Sequence, residues 1–355
     1  MTRRARDKRW PITRRGPVAA RGPVAARGPV AARGLVSAAR RLAADDRELA
    51  AGAAPSDRAR SSLRGSTTAA VLALLATTAV WGSTFVVVKD AVARMPVMPF
   101  LAWRFGIATV AMLVLRPRAV ARLGPAGRRD GALLGLALGA GYVLQTYGLQ
   151  STPATVSGFV TGMFVVFTPL LAGLLLHRRV GASAWFAVVV ATVGLALLSL
   201  HGIALGGGVT LTLLCAVAFA FHIVGLGEWS ASYDPYGLAV VQLATVAVGC
   251  SIVSAFTGLS VPPDAGVWGA LALTALAATA VAFVVQTWAQ SLLSATRAAV
   301  IMIMEPVFAA VFGAVFAGDS LSGRSLAGGA LVLVAMLLVE AGPLSMTSRA
   351  RDQVR

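Results

Sequence analysis

The sequence predicts an all-α integral membrane protein of ten transmembrane helices, arranged as two inverted five-helix repeats. Three observations carry this. Of the 355 residues, 57% are hydrophobic and only 13% charged, with a mean hydropathy of +0.78, whereas soluble domains hold about 25% charged residues. Apolar runs of the roughly 20 residues needed to cross a bilayer follow one another with short connections. Finally, two long segments of the chain echo each other at a nearly constant offset.

The first 64 residues stand apart. They hold sixteen Lys/Arg against five Asp/Glu, a net +11 of the chain's +17. The hexad RGPVAA occupies 15–20, 21–26 and 27–32, with a degenerate RGLVSA at 33–38. A Pro and a Gly in each hexad oppose helix formation and no apolar face emerges, so residues 1–64 are expected to be a disordered cytoplasmic tail. The segment has no continuous apolar h-region of the kind a secretory signal needs. Trp10 is its single aromatic residue, and no recognition motif accompanies the basic charge, so nucleic acid is not an expected partner.

Ten apolar spans follow, near 68–88, 98–116, 131–148, 154–176, 183–201, 207–226, 236–256, 267–285, 294–317 and 324–341. Residues 68–201 form the first repeat and 207–341 the second, with 342–355 a cytoplasmic C-terminal tail. Cytoplasmic loops of membrane proteins carry an excess of Lys and Arg. Here Arg116, Arg118, Arg122, Arg128 and Arg129 follow the second span, Arg178 and Arg179 the fourth, and Arg349, Arg351 and Arg355 the last. These positions share one side if both termini are cytoplasmic in a cell (inner or plasma) membrane. The loop after the sixth span, with Glu228 and Asp234, is the exception.

The third span ends in LQTYGLQSTPAT (144–155) and the eighth in VQTWAQSLLSAT (285–296), an offset of 141. FTPLLAGLL (167–175) answers MEPVFAAVF (304–312) at an offset of 137. An odd number of spans per half inverts the second half in the membrane. Inverted repeats are a transporter architecture, with the substrate held near the midplane between the halves.

AVWGSTFVVVK (79–89), WRF (103–105), QSTPATVSGFVTGMFVVFTPLLA (150–172) and QTWAQSLLSATRAAVIMIMEPVFAA (286–310) together resemble the EamA-like branch of the drug/metabolite transporter superfamily. The resemblance spans roughly 68–341. It implies a ten-helix bundle that moves small metabolites, often amino acids or related compounds, commonly outward.

Glu305 is the foremost site candidate. A carboxylate at mid-span costs about 2.5–3.5 kcal/mol on insertion scales, so it should face a cavity or a partner. It would meet a substrate amine or carry a proton; alternatively it would bond carbonyls that Pro306 leaves without donors. The Glu305-Pro306 pair is similar to the family's usual motif. Pro306 and its counterpart Pro169 are expected to kink the ninth and fourth spans and to serve as gates or as static shape. Lys89 shares a helical face with Trp81 and Phe85, and reaches either the cavity mouth or the headgroups by snorkelling. Arg104, answered by Gln242 in the second half, lies two turns inside its span and meets a substrate carboxylate or an internal partner. Tyr142 and Gln145 in the third span, and Gln286, Trp288 and Gln290 in the eighth, could hold a zwitterion. Thr161 lies on a stripe with Ser157 and Thr168, beside Gly158 and Gly162, that serves packing or lines the cavity. His222 is read as a helix contact before a proton relay.

Cys215 and Cys250 match no metal-ligand spacing and are read as packing residues. No cofactor or metal is expected; the expected partners are a small-molecule substrate and the lipid bilayer, with a homo-oligomer left open. An intramembrane protease would need paired aspartates, but Tyr233-Asp234 and Gly318-Asp319 fall in loops on opposite sides. No Ser-His pair or phosphate loop occurs. The protein is therefore read as a non-enzymatic carrier working by alternating access, with a channel of the same fold as the alternative.

Overall fold

Helices make up the whole architecture of the computed structural model, which describes residues 57–152, 154–177, 180–199, 206–312 and 322–352. In chain order they are α1 (Asp57–Arg94), α2 (Val97–Leu115), the short α3 (Ala119–Arg122), α4 (Gly124–Ser151), α5 (Ala154–Gly162), α6 (Phe164–Leu176) and α7 (Ala182–Ser199). Then come α8 (Gly207–Trp229), α9 (Pro235–Thr257), α10 (Ala265–Ala275), a π-helical turn at Leu276–Val281, α11 (Ala282–Gln290), α12 (Ala295–Met302), α13 (Glu305–Phe312) and α14 (Gly323–Asp352). Eight segments among the described residues are long and apolar enough to cross a membrane: Ser66–Arg94, Val97–Leu115, Gly124–Ser151, Val156–Leu176, Gly207–Ser232, Pro235–Thr257, Ala265–Gln290 and Ala295–Phe312. Two shorter apolar stretches, Ala182–Leu197 and Leu326–Leu338, lie within α7 and α14.

The first helix is longer than its apolar core. It begins at Asp57, inside the stretch read as a tail, because residues 57–64 contain neither Pro nor Gly, and it continues to Arg94. The RGPVAA hexads, Arg178, Arg179, Gly318, Asp319 and Arg355 lie outside the described residues, as do the side chains of Arg349 and Arg351.

Local chemistry sets the helix starts. Asp234 accepts from Gly237 N at 2.8 Å with Pro235 at N1, Asp264 accepts from Val267 N at 2.9 Å, and Ser294 accepts from Arg297 N at 3.3 Å, each satisfying an otherwise orphan N–H. Within the spans, hydroxyls such as Thr109, Thr146 and Thr168 donate back to the carbonyl four residues earlier, so they bring no unpaired donor into an apolar medium.

Small residues set the crossings. Gly148 and Gly208 face each other where α4 meets α8: a Cβ at either would come within 2.9 Å of the other's carbonyl oxygen. Gly194 likewise lies against Gly328 of α14. Such close approach is how helices gain contact where lipid removes the hydrophobic drive. Among the packed pairs are α4–α8, α11–α1, α9–α4, α10–α2, α13–α1, α6–α8, α2–α9, α6–α12 and α7–α14. Two apolar clusters result. One gathers Phe100, Phe105, Leu243 and Phe283, the other Phe164, Leu195, Ile301 and Val332. Trp81 and Phe219 touch both.

Candidate functional site

A cavity of about 730 Å³, the space at its mouth included, opens where the two clusters meet. Seven of the ten residues expected to bind substrate line it: Trp81 from α1, Arg104 from α2, Tyr142 and Gln145 from α4, Thr161 from α5, Gln286 from α11 and Glu305 from α13. The wall is otherwise strongly aromatic. The Phe283 ring lies 5.7 Å from Trp81, 6.0 Å from Tyr142 and 6.1 Å from His222, and Tyr142 stands edge-on to Phe105 and Phe219.

The other three expected residues lie outside this lining. Lys89 Nζ donates to Thr152 O at 2.9 Å, a cation placed on the C-terminal carbonyls of α4, where the helix dipole favours it. Trp288 packs into the second apolar cluster. Gln290 donates to Ile223 O at 2.9 Å and accepts from Gln286 Nε2 at 3.0 Å.

The π-helical turn organises one side of the cavity. Its altered bonding turns Ala278 O toward Trp81 Nε1, which donates to it at 2.8 Å. Arg104 Nε donates to Thr279 Oγ1 at 2.8 Å, Nη2 approaches Ala278 O at 3.5 Å, and the guanidinium stands 4.8 Å from the centre of the Tyr142 ring. Arg104 thus has internal partners. Its counterpart Gln242 is also interior, donating to Leu238 O at 3.1 Å and bonded through Oε1 to His222 Nε2 at 2.7 Å. Gln145 Nε2 reaches Thr161 Oγ1 at 3.3 Å.

Glu305 differs from these groups. Its carboxylate lines the cavity half-buried and makes no hydrogen bond or ion pair among the described residues, though Arg104 acts on it electrostatically. The prolines do not interrupt their helices at their own positions. Met163 separates α5 from α6 and Pro169 lies within α6, while Ile303 and Met304 separate α12 from α13. Pro306 occupies the second position of α13, where a missing N–H costs nothing. Of the stripe on α5 and α6, Thr161 lines the cavity and Thr168 bonds its own helix. A Cβ on Gly162 would meet Leu195 at 2.6 Å, whereas Gly158 has open space.

Thr84, Phe85, Thr146, Phe164, Phe219, His222 and Phe283 also line the cavity. Thr84 and Phe85 follow Trp81 by one helical turn, a spacing that could have found them. Phe164, Phe219 and Phe283 sit in continuous apolar runs, where nothing distinguishes cavity from lipid.

The bundle is tied at both ends. Where α1 ends, Arg94 pairs with Asp90 and, at 2.8 Å, with Asp264 ahead of α10. The Val267 N–H, and after it Arg94, hold the Asp264 carboxyl below the usual carboxylate range. Where α8 ends, Tyr233 donates to Asp130 of α4 at 2.7 Å. Burial, then the Asp130 carboxylate, push the Tyr233 phenol up to about 12, so it stays a donor throughout the physiological range. Both cysteines are free and buried, and among the described residues no three His, Cys, Asp or Glu side chains gather as a metal site.

Comparison with known proteins gives this cavity its context. An uncharacterised transporter of Archaeoglobus fulgidus is 32% identical over 260 residues, covering 73% of this chain and 82% of that protein. A second uncharacterised transporter of the same organism is 24% identical over 241 residues, 67% of this chain and 84% of its own. One crystal structure shares the fold with a TM-score of 0.64 at 18% identity, over 79% of this chain and 98% of its own. The description of the EamA-like transporter family matches twice, over residues 68–200 and 206–341. Several apolar spans surrounding a polar-lined cavity, in a chain that carries this family's pattern twice, make it a multi-pass membrane protein of the EamA-like transporter family.

Proposed function

We propose that the protein carries small metabolites, amino acids or related compounds, out of the cell by alternating access around this cavity. It does so as ten spans in two inverted halves, with both termini in the cytoplasm and the bundle in the cell membrane. The observation that carries the reading is Glu305. A mid-membrane carboxylate lacking a protein hydrogen-bond partner among the described residues is costly unless a ligand or proton meets it.

The packing supports the inverted halves. If α7 and α14 are counted as the fifth and tenth spans, exchanging each span for the one five places on turns α4–α8 into α11–α1. It also turns α9–α4 into α10–α2 and α13–α1 into α6–α8, and leaves α2–α9, α6–α12 and α7–α14 unchanged. The Arg94–Asp264 tie maps in the same way onto Tyr233–Asp130. A bundle held at both ends around a central cavity fits a carrier better than an open pore.

Counterflow in proteoliposomes with a panel of amino acids, amines and nucleosides tests the reading, with Glu305→Gln alongside. Accumulation of one class by the wild type, lost in a variant that still inserts and folds, is the expected result. Full-rate transport by Glu305→Gln would remove the carboxylate from the cycle.

A further inference from the structure

Two chains of side-chain amides stand behind the cavity, and each ends in a group whose hydrogen-bonding sense it fixes. In the first, Gln290 Nε2 donates to Ile223 O at 2.9 Å. A carbonyl can only accept, so Gln290 must present Oε1 to its other neighbour, and Gln286 Nε2 donates to it at 3.0 Å. Gln286 is thereby oriented, and its own Oε1 is an acceptor. That oxygen is buried and has no hydrogen-bond partner among the described residues, although Gln286 lines the cavity and is only 3% exposed.

The second chain works in the same way. Gln242 Nε2 donates to Leu238 O at 3.1 Å, which leaves Oε1 to accept from His222 Nε2 at 2.7 Å. With Nε2 carrying the proton, Nδ1 of the neutral His222 ring is an acceptor. The Glu305 carboxylate, which also makes no hydrogen bond among the described residues, is a further acceptor in the lining when ionised. All three come from the second half of the chain. Arg104 is engaged with Thr279, and the Thr84 and Thr146 hydroxyls donate back to their own helices. These three acceptors favour a ligand that brings donors, and the rings of Trp81, Tyr142 and Phe283 receive an apolar or aromatic body.

We propose that the cavity selects compounds with a primary ammonium group on an apolar or aromatic body, received by Gln286 Oε1, His222 Nδ1 and Glu305, with Gln290 and Gln242 as positioning residues. The proposal rests on the transporter reading and narrows it. A primary ammonium carries three N–H donors. A quaternary one carries the same charge and none, and would leave the buried Gln286 Oε1 unpaired. Selection is therefore by donor count rather than by charge.

The test uses the full chain in proteoliposomes and radiolabelled phenethylamine, with N-methylphenethylamine and phenethyltrimethylammonium as competitors. The expected potency falls in that order and drops at least a hundredfold from primary to quaternary, because sites built to hydrogen-bond a group reject analogues lacking it. Gln290→Leu should reduce that ratio about tenfold, although Gln290 lies outside the cavity lining. A general loosening of the fold would weaken all three compounds alike and leave the ratio unchanged. If Gln290→Leu does not fold, Gln286→Leu removes the acceptor itself and must flatten the ratio equally. Equal competition by phenethyltrimethylammonium, or an unchanged ratio in both folded variants, overturns the proposal. Counterflow of other compounds with no phenethylamine binding overturns it while leaving the transporter reading intact. Absence of counterflow for every compound overturns the transporter reading and this proposal with it.

Discussion

Gly82 lies where α1 crosses α13, and a single added methyl there tests how the cavity is held. An ideal Cβ would stand 2.6 Å from Glu305 O, 2.9 Å from Ala309 N and 3.1 Å from Phe308 Cβ. The two closest atoms are backbone, so no rotamer change relieves the clash. Restoring an ordinary contact of about 3.5 Å means parting the helices by roughly 0.9 Å. Overpacking of this kind costs about 1–3 kcal/mol. The displaced backbone is that of Glu305 itself, while the adjacent Trp81 stays tied to Ala278 O. Misplacing a functional group by about 1 Å can cost on the order of 100-fold in rate. Gly82→Ala is therefore expected to lower the initial counterflow rate at least tenfold and to depress the thermal midpoint in detergent. Gly106→Ala and Gly269→Ala, where a Cβ meets nothing within 4 Å, should leave the rate unchanged and not lower the midpoint, Ala being the better helix former. A Gly82→Ala protein with wild-type rate and midpoint would refute the tight crossing and the placement of Glu305 that depends on it.

Two predictions concern the ends of the bundle. Tyr233→Phe removes the phenol bonded to Asp130 while leaving that buried carboxylate beside Arg129; the expected loss is about 1–3 kcal/mol, read as a lower midpoint in thermal unfolding. At the other end the folded pKa of Asp264 is depressed, so its contribution is complete above the unfolded value of about 3.9. It is lost as pH falls through the lower folded value. Asp264→Asn, which can still cap α10, should flatten the acid limb of the stability curve below about pH 4, whereas wild-type acid sensitivity in the variant would assign that limb to other groups.

What could be read in the sequence follows from the physics of the bilayer. Apolar length marks a span because the hydrocarbon core has a fixed thickness, and Glu305 and Arg104 stood out because charge there must be compensated. The same uniformity conceals the aromatic lining: Phe164, Phe219 and Phe283 are as well suited to lipid as to a cavity, and only packing separates the two. The two helix interruptions fall in the spans that carry the prolines, though not at the prolines themselves. Pro169 and Pro306 are conspicuous, yet α6 absorbs the first and the opening turn of α13 accommodates the second. One break is at Met163, away from Pro169; the other, at Ile303–Met304, falls in the turn ahead of Pro306, whose missing N–H leaves the Met302 carbonyl without its usual helical donor. Lys89 and Gln290 show a further limit. Their residue types announce polarity at the right depth, but whether such a group meets a ligand or a backbone carbonyl depends on which carbonyls the neighbouring helices bring within reach. For Lys89 that carbonyl is Thr152 O, at the end of α4; for Gln290 it is Ile223 O, inside α8 toward its C-terminal end. These carbonyls lie 63 and 67 residues away along the chain, so no local pattern reports them. Gln290 and Gln286 are four apart on one helix face, which is legible. That their order of donation leaves Gln286 Oε1 without a partner among the described residues depends on a distant backbone oxygen, and on the proposal above that distant oxygen sets which end of a substrate the cavity would receive.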